Sequence, residues 1–259
     1  MTNTIHRVKE FLKYQRLAKT KYYLHSPFVY QFFLKVLDTV HAAELQNISK
    51  LRNQLLNTHS TLLIEDMGSM PGHKERLVSS IAAKATVPAR YGNVLYAIAR
   101  EFHPKHIIEL GTCLGLGTAY LATGAPQSTL MTVEGSAALA AEAVKNLDEL
   151  GITNVTSIVG NFDEKLPELL KTVGKVDLAY IDGNHRYEPT IRYFHQLLEK
   201  SHEGTILIFD DIYWSTEMTQ AWEEIKRDLR ITLTIDIYRF GIAFLRQDKM
   251  AKEDFVLRY

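Results

Sequence analysis

The 259-residue chain carries 30 basic and 30 acidic side chains, for a formal net charge of +0 and a sequence pI of about 7.2. No global basic field exists to draw it to a phosphate backbone, so nucleic acid is not an expected partner. A composition of 46% hydrophobic and 23% charged residues excludes disorder and fits one large domain, or a domain with an appendage. No uninterrupted apolar run approaches bilayer-spanning length, and the first residues lack the apolar core of a secretory leader. The single cysteine, Cys113, cannot form an internal disulfide. A cytoplasmic protein with no membrane association is expected.

Up to about residue 103 the pattern is helical. Ile5, Val8, Phe11 and Leu12 recur on one face, and Ser26-Pro27 reads as a cap followed by the first helical residue. Phe28, Phe32 and Val36 then share a stripe, and Leu45, Ile48, Leu51 and Leu55 mark a third helix. Residues 74–85 and 89–102 predict two more helices around Pro88. The glycine-bearing stretch 66–72 reads as a surface turn, with a mobile lid as the alternative. Residues 1–88 are therefore expected to form an N-terminal helical region whose apolar stripes cap a site or make a homodimer contact. Residues 89–259 form the second expected domain.

The texture changes at residues 106–122, His-Ile-Ile-Glu-Leu-Gly-Thr-Cys-Leu-Gly-Leu-Gly-Thr-Ala-Tyr-Leu-Ala. This reads as strand, glycine turn, helix. Gly111, Gly115 and Gly117 permit tight backbone angles and close approach of a ligand to bare backbone. A dinucleotide fingerprint needs Gly-x-Gly-x-x-Gly directly after the strand. Here three residues separate Gly111 from Gly115, and Tyr120 stands where the third glycine after Gly115 and Gly117 would be, so a nicotinamide oxidoreductase is the weaker reading. A second apolar strand, 130–133, ends in Glu134, roughly 20 residues past the turn, where an acid of a doubly wound fold binds ribose hydroxyls. The same residues also suit an ordinary βαβ unit with a solvated glutamate.

Apolar, β-branched runs at 155–159, 176–181 and 205–209 alternate with helical stretches such as 137–150 and 187–199, the pattern of a parallel sheet. Residues 232–238 and 240–245 follow too closely for a crossover helix and should pair antiparallel, with Gly241 at the return. The expectation is an α/β, doubly wound, Rossmann-like sheet of seven strands with a terminal antiparallel hairpin. Ligands of such sheets collect at the carboxyl ends of strands. There the sequence places Gly160-Asn161-Phe162-Asp163, Asp182-Gly183-Asn184-His185-Arg186-Tyr187, and Asp210-Asp211-Ile212-Tyr213-Trp214.

The Glu-x-Gly-x-x-x-Gly pattern from Glu109 to Gly115 resembles the first motif of class I S-adenosylmethionine (SAM) methyltransferases. Five βα units and a closing hairpin extend that resemblance from about Ala89 onward. The Asp-Gly-x-His-x-Tyr motif at Asp182 is similar to a bacterial branch of the small-molecule O-methyltransferases related to catechol and caffeoyl-coenzyme A enzymes. The resemblance implies methyl transfer from SAM to a small-molecule acceptor at a hydroxyl oxygen. It assigns Gly111, Thr112, Gly115 and Gly117 to the methionine part of the cofactor, Glu134 to the ribose, Gly160 and Asn161 to the adenine end, and Asp182 to the cofactor's reacting side. Glu109 would shape the loop.

The same resemblance implies a divalent cation such as Mg2+ on Asp182, Asp210 and Asp211, which physics would welcome because adjacent carboxylates repel. The chain departs from the family at Asp211, where asparagine is usual, and at the lysine after the strand-four aspartate, where His185 stands nearly in register. His185, with Asp182, is the candidate general base, since a histidine near its ordinary pKa of about 6.5 can take a hydroxyl proton at neutral pH. Local readings stay open: helix capping for Asp210 and Asp211, a turn carboxylate for Asp182, and a brace of that turn for His185. Tyr187, Tyr213 and Trp214 would wall the acceptor pocket or belong to the core. A non-catalytic SAM-binding module, or a methyltransferase of protein or nucleic acid, remains the alternative function.

Overall fold

A computed structural model describes residues 2–66, 72–246 and 251–259. The chain opens with α1 (Thr2–Leu17) and α2 (Pro27–Phe32), followed by α3 (Gln46–Leu56), β1 (Thr61–Asp66), β2 (Gly72–Leu77), α4 (Val78–Lys84) and α5 (Ala89–Phe102). Strand and helix then alternate through β3 (His106–Leu110), α6 (Leu116–Gly124), β4 (Thr129–Glu134), α7 (Ala137–Glu149), β5 (Val155–Val159) and α8 (Phe162–Thr172). The alternation continues with β6 (Leu178–Ile181), α9 (Tyr187–Glu199), β7 (Ile206–Phe209) and α10 (Thr216–Ile225), and the chain closes with β8 (Leu233–Asp236), β9 (Gly241–Phe244) and β10 (Glu253–Val256). Two compact units result, Leu34–Lys165 and Met1–Phe33 with Leu166–Tyr259. Among the described residues no helix is long and apolar enough to cross a membrane.

In the first unit β3, β4 and β5 run parallel, with Glu109 opposite Thr132 and Thr132 opposite Ser157. Parallel strands covered on both faces need continuous apolar runs, and Ile107, Ile108, Leu110, Leu130 and Val133 are all fully buried. Helix α6 is buried on nearly every side, which suits its lack of an apolar stripe. It packs on α5 through small residues: a Cβ at Gly92 would lie 2.1 Å from the Tyr120 ring, and one at Gly124 would lie 2.5 Å from the Tyr96 carbonyl. In α3, Leu45, Ile48, Leu51 and Leu55 form the expected buried face. The expected helix over 74–85 is shorter. Residues 72–77 pair with β1 as an antiparallel hairpin, Thr61 opposite Leu77, and helix begins only at Val78. Charged residues alternate poorly in Lys74-Glu75-Arg76, so helical periodicity there rested on few apolar positions. The glycine-bearing stretch at 67–71 lies outside the described residues.

In the second unit β6 and β7 are parallel, while β9 runs antiparallel to both β7 and β8. This is the expected terminal hairpin. One strand was not anticipated: β10 adds parallel to β8, so among the described residues eight strands lie outside the β1–β2 hairpin instead of seven. The return of the hairpin is made by Tyr238, held at φ 72°, rather than by Gly241. Gly241 is glycine for another reason, since a Cβ there would sit 2.8 Å from the Trp222 ring.

Helix α1 also departs from its pattern. Its apolar residues Ile5 and Leu12 are 71% and 63% exposed, while Glu10 and Tyr14 are buried. Docking is by the Tyr14 hydroxyl, which donates to the Leu257 carbonyl at 2.7 Å, and by Lys19 N–H to Val256 at 2.8 Å. At α2 the expected start at Pro27 holds, but the Ser26 side chain makes no cap bond to the helix.

The α5–α6 contact generates the first prediction. Gly124→Ala has no flexible neighbour to displace, because the nearest atom is backbone, so overpacking should destabilise the protein by about 1–3 kcal/mol. Urea denaturation would read this as a lowered midpoint at unchanged slope.

Candidate functional site

Within the unit Leu34–Lys165 the glycine loop follows β3 and is fixed by two acids. Glu109 is 0% exposed and accepts hydroxyl hydrogen bonds from Thr118 and, at 2.7 Å, from Thr132. The Thr132 proton is thereby committed, so Thr112, 2.6 Å from Thr132 Oγ1, is the donor of that pair. The Thr112 hydroxyl therefore spends its proton on this buried chain. Glu134 accepts the Cys113 N–H at 2.8 Å on one oxygen and the Ser136 N–H at 2.9 Å on the other. It joins the glycine loop to the end of β4.

Loop geometry explains the glycines. Gly111 stands at φ 105° and Gly115 at φ 79°, and a Cβ on Gly115 would meet Ala143 at 3.2 Å. Cys113 adopts φ 50° between them, an uncommon angle for a side-chain-bearing residue. Gly117 lies in the first turn of α6 and is half-buried. At the end of β5, Gly160 (φ 148°) donates its N–H to the Glu134 carbonyl at 2.9 Å, and the Asn161 side chain accepts the Asp163 N–H at 2.9 Å at the start of α8. Glu109, Gly111, Thr112, Gly115, Gly117, Glu134, Gly160 and Asn161 are thus gathered at the carboxyl ends of β3, β4 and β5. Backbone bare of side chains beside an acid is a fitting cradle for a nucleoside with an amino-acid tail.

A second constellation lies within the other unit, at the ends of β6 and β7. Asp210 is 0% exposed. Its Oδ2 accepts the Tyr180 hydroxyl at 2.8 Å and Arg239 Nη2 at 2.8 Å, while Oδ1 accepts the Asp211 N–H at 2.6 Å. Arg239 Nε also stands 2.7 Å from Oδ1, an ion-pair contact rather than an aligned hydrogen bond. Arg239 Nη2 reaches Asp211 at 3.5 Å, and the Tyr180 hydroxyl reaches Asp182 at 3.2 Å. His185 Nε2 is 3.4 Å from Asp182 Oδ1. Asp182, His185, Asp210 and Asp211 are brought together as expected; Arg239 and Tyr180 were missed.

The electrostatics follow from burial. Asp210 is pushed well above the usual carboxylate range by burial and then by the charges of Asp182 and Asp211, with Arg239 opposing. Asp211 is raised by burial, again against Arg239. For His185, burial works to lower the pKa, but the hydrogen bond and charge of Asp182, then the charges of Asp211 and Asp210, outweigh it and carry the pKa to about 9. The imidazole is therefore cationic at neutral pH, contrary to the expectation of a neutral base. Four of the side-chain-bearing residues at positive φ surround this cluster: Asn184, His185, Asp211 and Tyr238. Such angles persist only where surrounding bonds over-determine them.

The donor set does not fit a divalent cation on Asp182, Asp210 and Asp211. A carboxylate offers about four acceptor positions, and Asp210 already accepts three hydrogen bonds from the protein and has Arg239 Nε in ion-pair contact besides. Among the described residues no group of three or more His, Cys, Asp or Glu side chains is disposed to hold a metal ion. Capping does not explain Asp210 and Asp211 either, because Ser215 accepts the Met218 N–H at the start of α10. Of the aromatic residues expected beside an acceptor, Trp214 is 44% exposed beneath the Arg7 guanidinium, 4.4 Å from its ring. The Tyr213 hydroxyl is committed to Asp236, and Tyr187 turns to Glu224 on α10.

Comparisons with known proteins bear on the fold and on sequence similarity. The family model described as "Methyltransferase domain" matches residues 108–212. A catechol O-methyltransferase of Niastella koreensis is 33% identical over 138 residues, covering 50% of this chain and 62% of that protein. One of Mycobacterium tuberculosis is 29% identical, covering 56% of this chain and 67% of that protein. The chain thus spans about two thirds of the length of these relatives. A methyltransferase of Podospora anserina, solved bound to S-adenosylhomocysteine (SAH), superposes with a TM-score of 0.60 at 16% identity, covering 86% of this chain and 97% of its own. The chain carries the class I SAM-methyltransferase fold, and its α/β segment is related in sequence to catechol O-methyltransferases.

Proposed function

We propose that the chain transfers a methyl group from SAM to a hydroxyl oxygen of a small-molecule acceptor. The observation that carries this reading is the glycine loop fixed by Glu109 and Glu134. Relatives named catechol O-methyltransferases and a fold neighbour bound to SAH support the cofactor and the acceptor class. SAM supplies an electrophilic methyl carbon on a sulfonium that leaves as a neutral thioether. The chain's own residues then have to bind, orient and manage one proton.

In this reading the backbone of Gly111, Thr112 and Gly115 lies along the methionine part and Gly117 supports the first turn of α6. Glu134 takes the ribose hydroxyls, and Gly160 and Asn161 border the adenine. Glu109 keeps the loop in shape from beneath. Within the other unit, Asp182 orients and charges His185. With His185 cationic at neutral pH, the proton of a weakly acidic hydroxyl leaves efficiently only in alkaline solution, or through a cluster carboxylate.

Two predictions follow from these assignments. Glu134→Ala should weaken both SAM and SAH by about 1.5–3 kcal/mol, the loss of charge-assisted hydrogen bonds, as measured by calorimetry. NADH should not compete, and NADH binding without SAM binding would refute the reading. Second, NMR titration of the His185 ring should give a pKa of about 9. Asp182→Asn should bring it down, because removing the hydrogen-bonded carboxylate leaves burial, which disfavours the cation, less opposed. A wild-type midpoint below about 7, on the ordinary histidine scale, would contradict the assigned geometry.

A further inference from the structure

The acid cluster at the ends of β6 and β7 resembles a metal site in composition and differs from one in its wiring. Asp182, Asp210 and Asp211 would repel one another without compensation. What meets them is protein: the Arg239 guanidinium contacts both oxygens of Asp210 and one of Asp211, and His185 stands against Asp182. An arginine remains charged under all ordinary conditions and presents a planar fork of donors matched to a carboxylate. A hydrated magnesium ion would instead need open carboxylate oxygens and room for water. Asp210, wholly buried and surrounded by the Tyr180 hydroxyl, the Asp211 amide and Arg239, offers neither.

The fold delivers this arginine deliberately. Strand β9 pairs antiparallel with β7, Gly241 opposite Phe209, so the residues just before Gly241 run beside the residues just after Phe209. Tyr238, in the left-handed region and bonded through its N–H to Asp236 at 2.8 Å, turns the chain so that Arg239 comes back to the acids. The Ile212 N–H then donates to the Arg239 carbonyl at 3.3 Å, which ties the turn to the Asp210-Asp211 segment by backbone as well. The contact is therefore built into strand register and does not depend on a wandering surface side chain; Arg239 is only 23% exposed.

We propose that Arg239 is the resident cation of this cluster, occupying the electrostatic place of a divalent metal, so that the chain binds no such metal there. The consequence for methyl transfer, that it proceeds without added Mg2+, rests on the proposed function; the binding claim does not.

The test is a titration of the full chain with Mn2+, following free Mn2+ by electron paramagnetic resonance. Wild-type protein should bind none at this cluster up to about 1 mM, the weak end of the range of built carboxylate sites. Arg239→Met keeps side-chain bulk without charge and should bind Mn2+ at least about tenfold more tightly than wild type, because the acids then lack their cation. Adding Asp210→Asn should remove the gained binding. Wild-type binding of one Mn2+ that is lost in Asp182→Asn would overturn the proposal. So would a folded Arg239→Met protein, checked by circular dichroism, that binds no more Mn2+ than wild type. Should the methionine variant fail to fold, the wild-type titration still decides. SAM calorimetry on the same wild-type sample keeps the two readings separate: loss of SAM binding would refute methyl transfer and leave the Mn2+ result in force.

Discussion

A carboxylate removed from water must be met by donors or by a cation, because the desolvation cost of leaving it bare exceeds what a folded chain can spare. Glu109, Glu134 and Asp210, at the carboxyl ends of parallel strands, are such acids, and each is met from within its own unit. Glu109 is held by threonine hydroxyls on α6 and β4. Glu134 is held by two backbone amides, and Asp210 by an arginine, a tyrosine and an amide. These bonds decide the loop conformations above the strands. The glycine loop has its shape because the Cys113 amide must reach Glu134, and the β8–β9 turn has its shape because Arg239 must reach Asp210.

Local strain is distributed accordingly. Cys113, Asn184, His185, Asp211 and Tyr238 all sit at positive φ without being glycine: Cys113 gives its amide to Glu134, Asn184 and His185 follow Asp182, Asp211 follows Asp210, and Tyr238 precedes Arg239. Burial and hydrogen bonding hold angles that isolated residues rarely adopt. The same crowding of charge moves His185 from an ordinary histidine to one that stays protonated at neutral pH. Charge arrangement around Asp210 thus favours cations already in the protein over cations recruited from solution.

Much of this was legible in the sequence because it depends on short-range pattern. The five βα units follow from apolar runs spaced by amphipathic stretches, and Glu109 and Glu134 stand out as acids at strand ends beside glycines. The terminal hairpin is visible in the short spacing between 232–238 and 240–245. Arg239 was not legible from local context, since nothing in Tyr-Arg-Phe marks it. The available signal was register: once β9 is placed antiparallel to β7, the residues before Gly241 fall beside Asp210. Helix α1 failed for a different reason. Periodicity identified a face, yet this helix docks by a tyrosine hydroxyl and backbone bonds, leaving Ile5 and Leu12 outward. The hairpin at 72–77 was missed because pairing with β1 overrides weak local preference in a charged stretch.

In the proposed function, the glycine loop fixed by Glu109 and Glu134 holds SAM. The most direct measurement is an amide NMR titration of the isotope-labelled full chain with SAH. Shift changes should concentrate at Gly111, Thr112, Cys113, Gly115, Ser136 and Asn161, with the Cys113 amide remaining protected from exchange. Saturable binding of SAH that leaves these amides unmoved, or no binding at all, would contradict it.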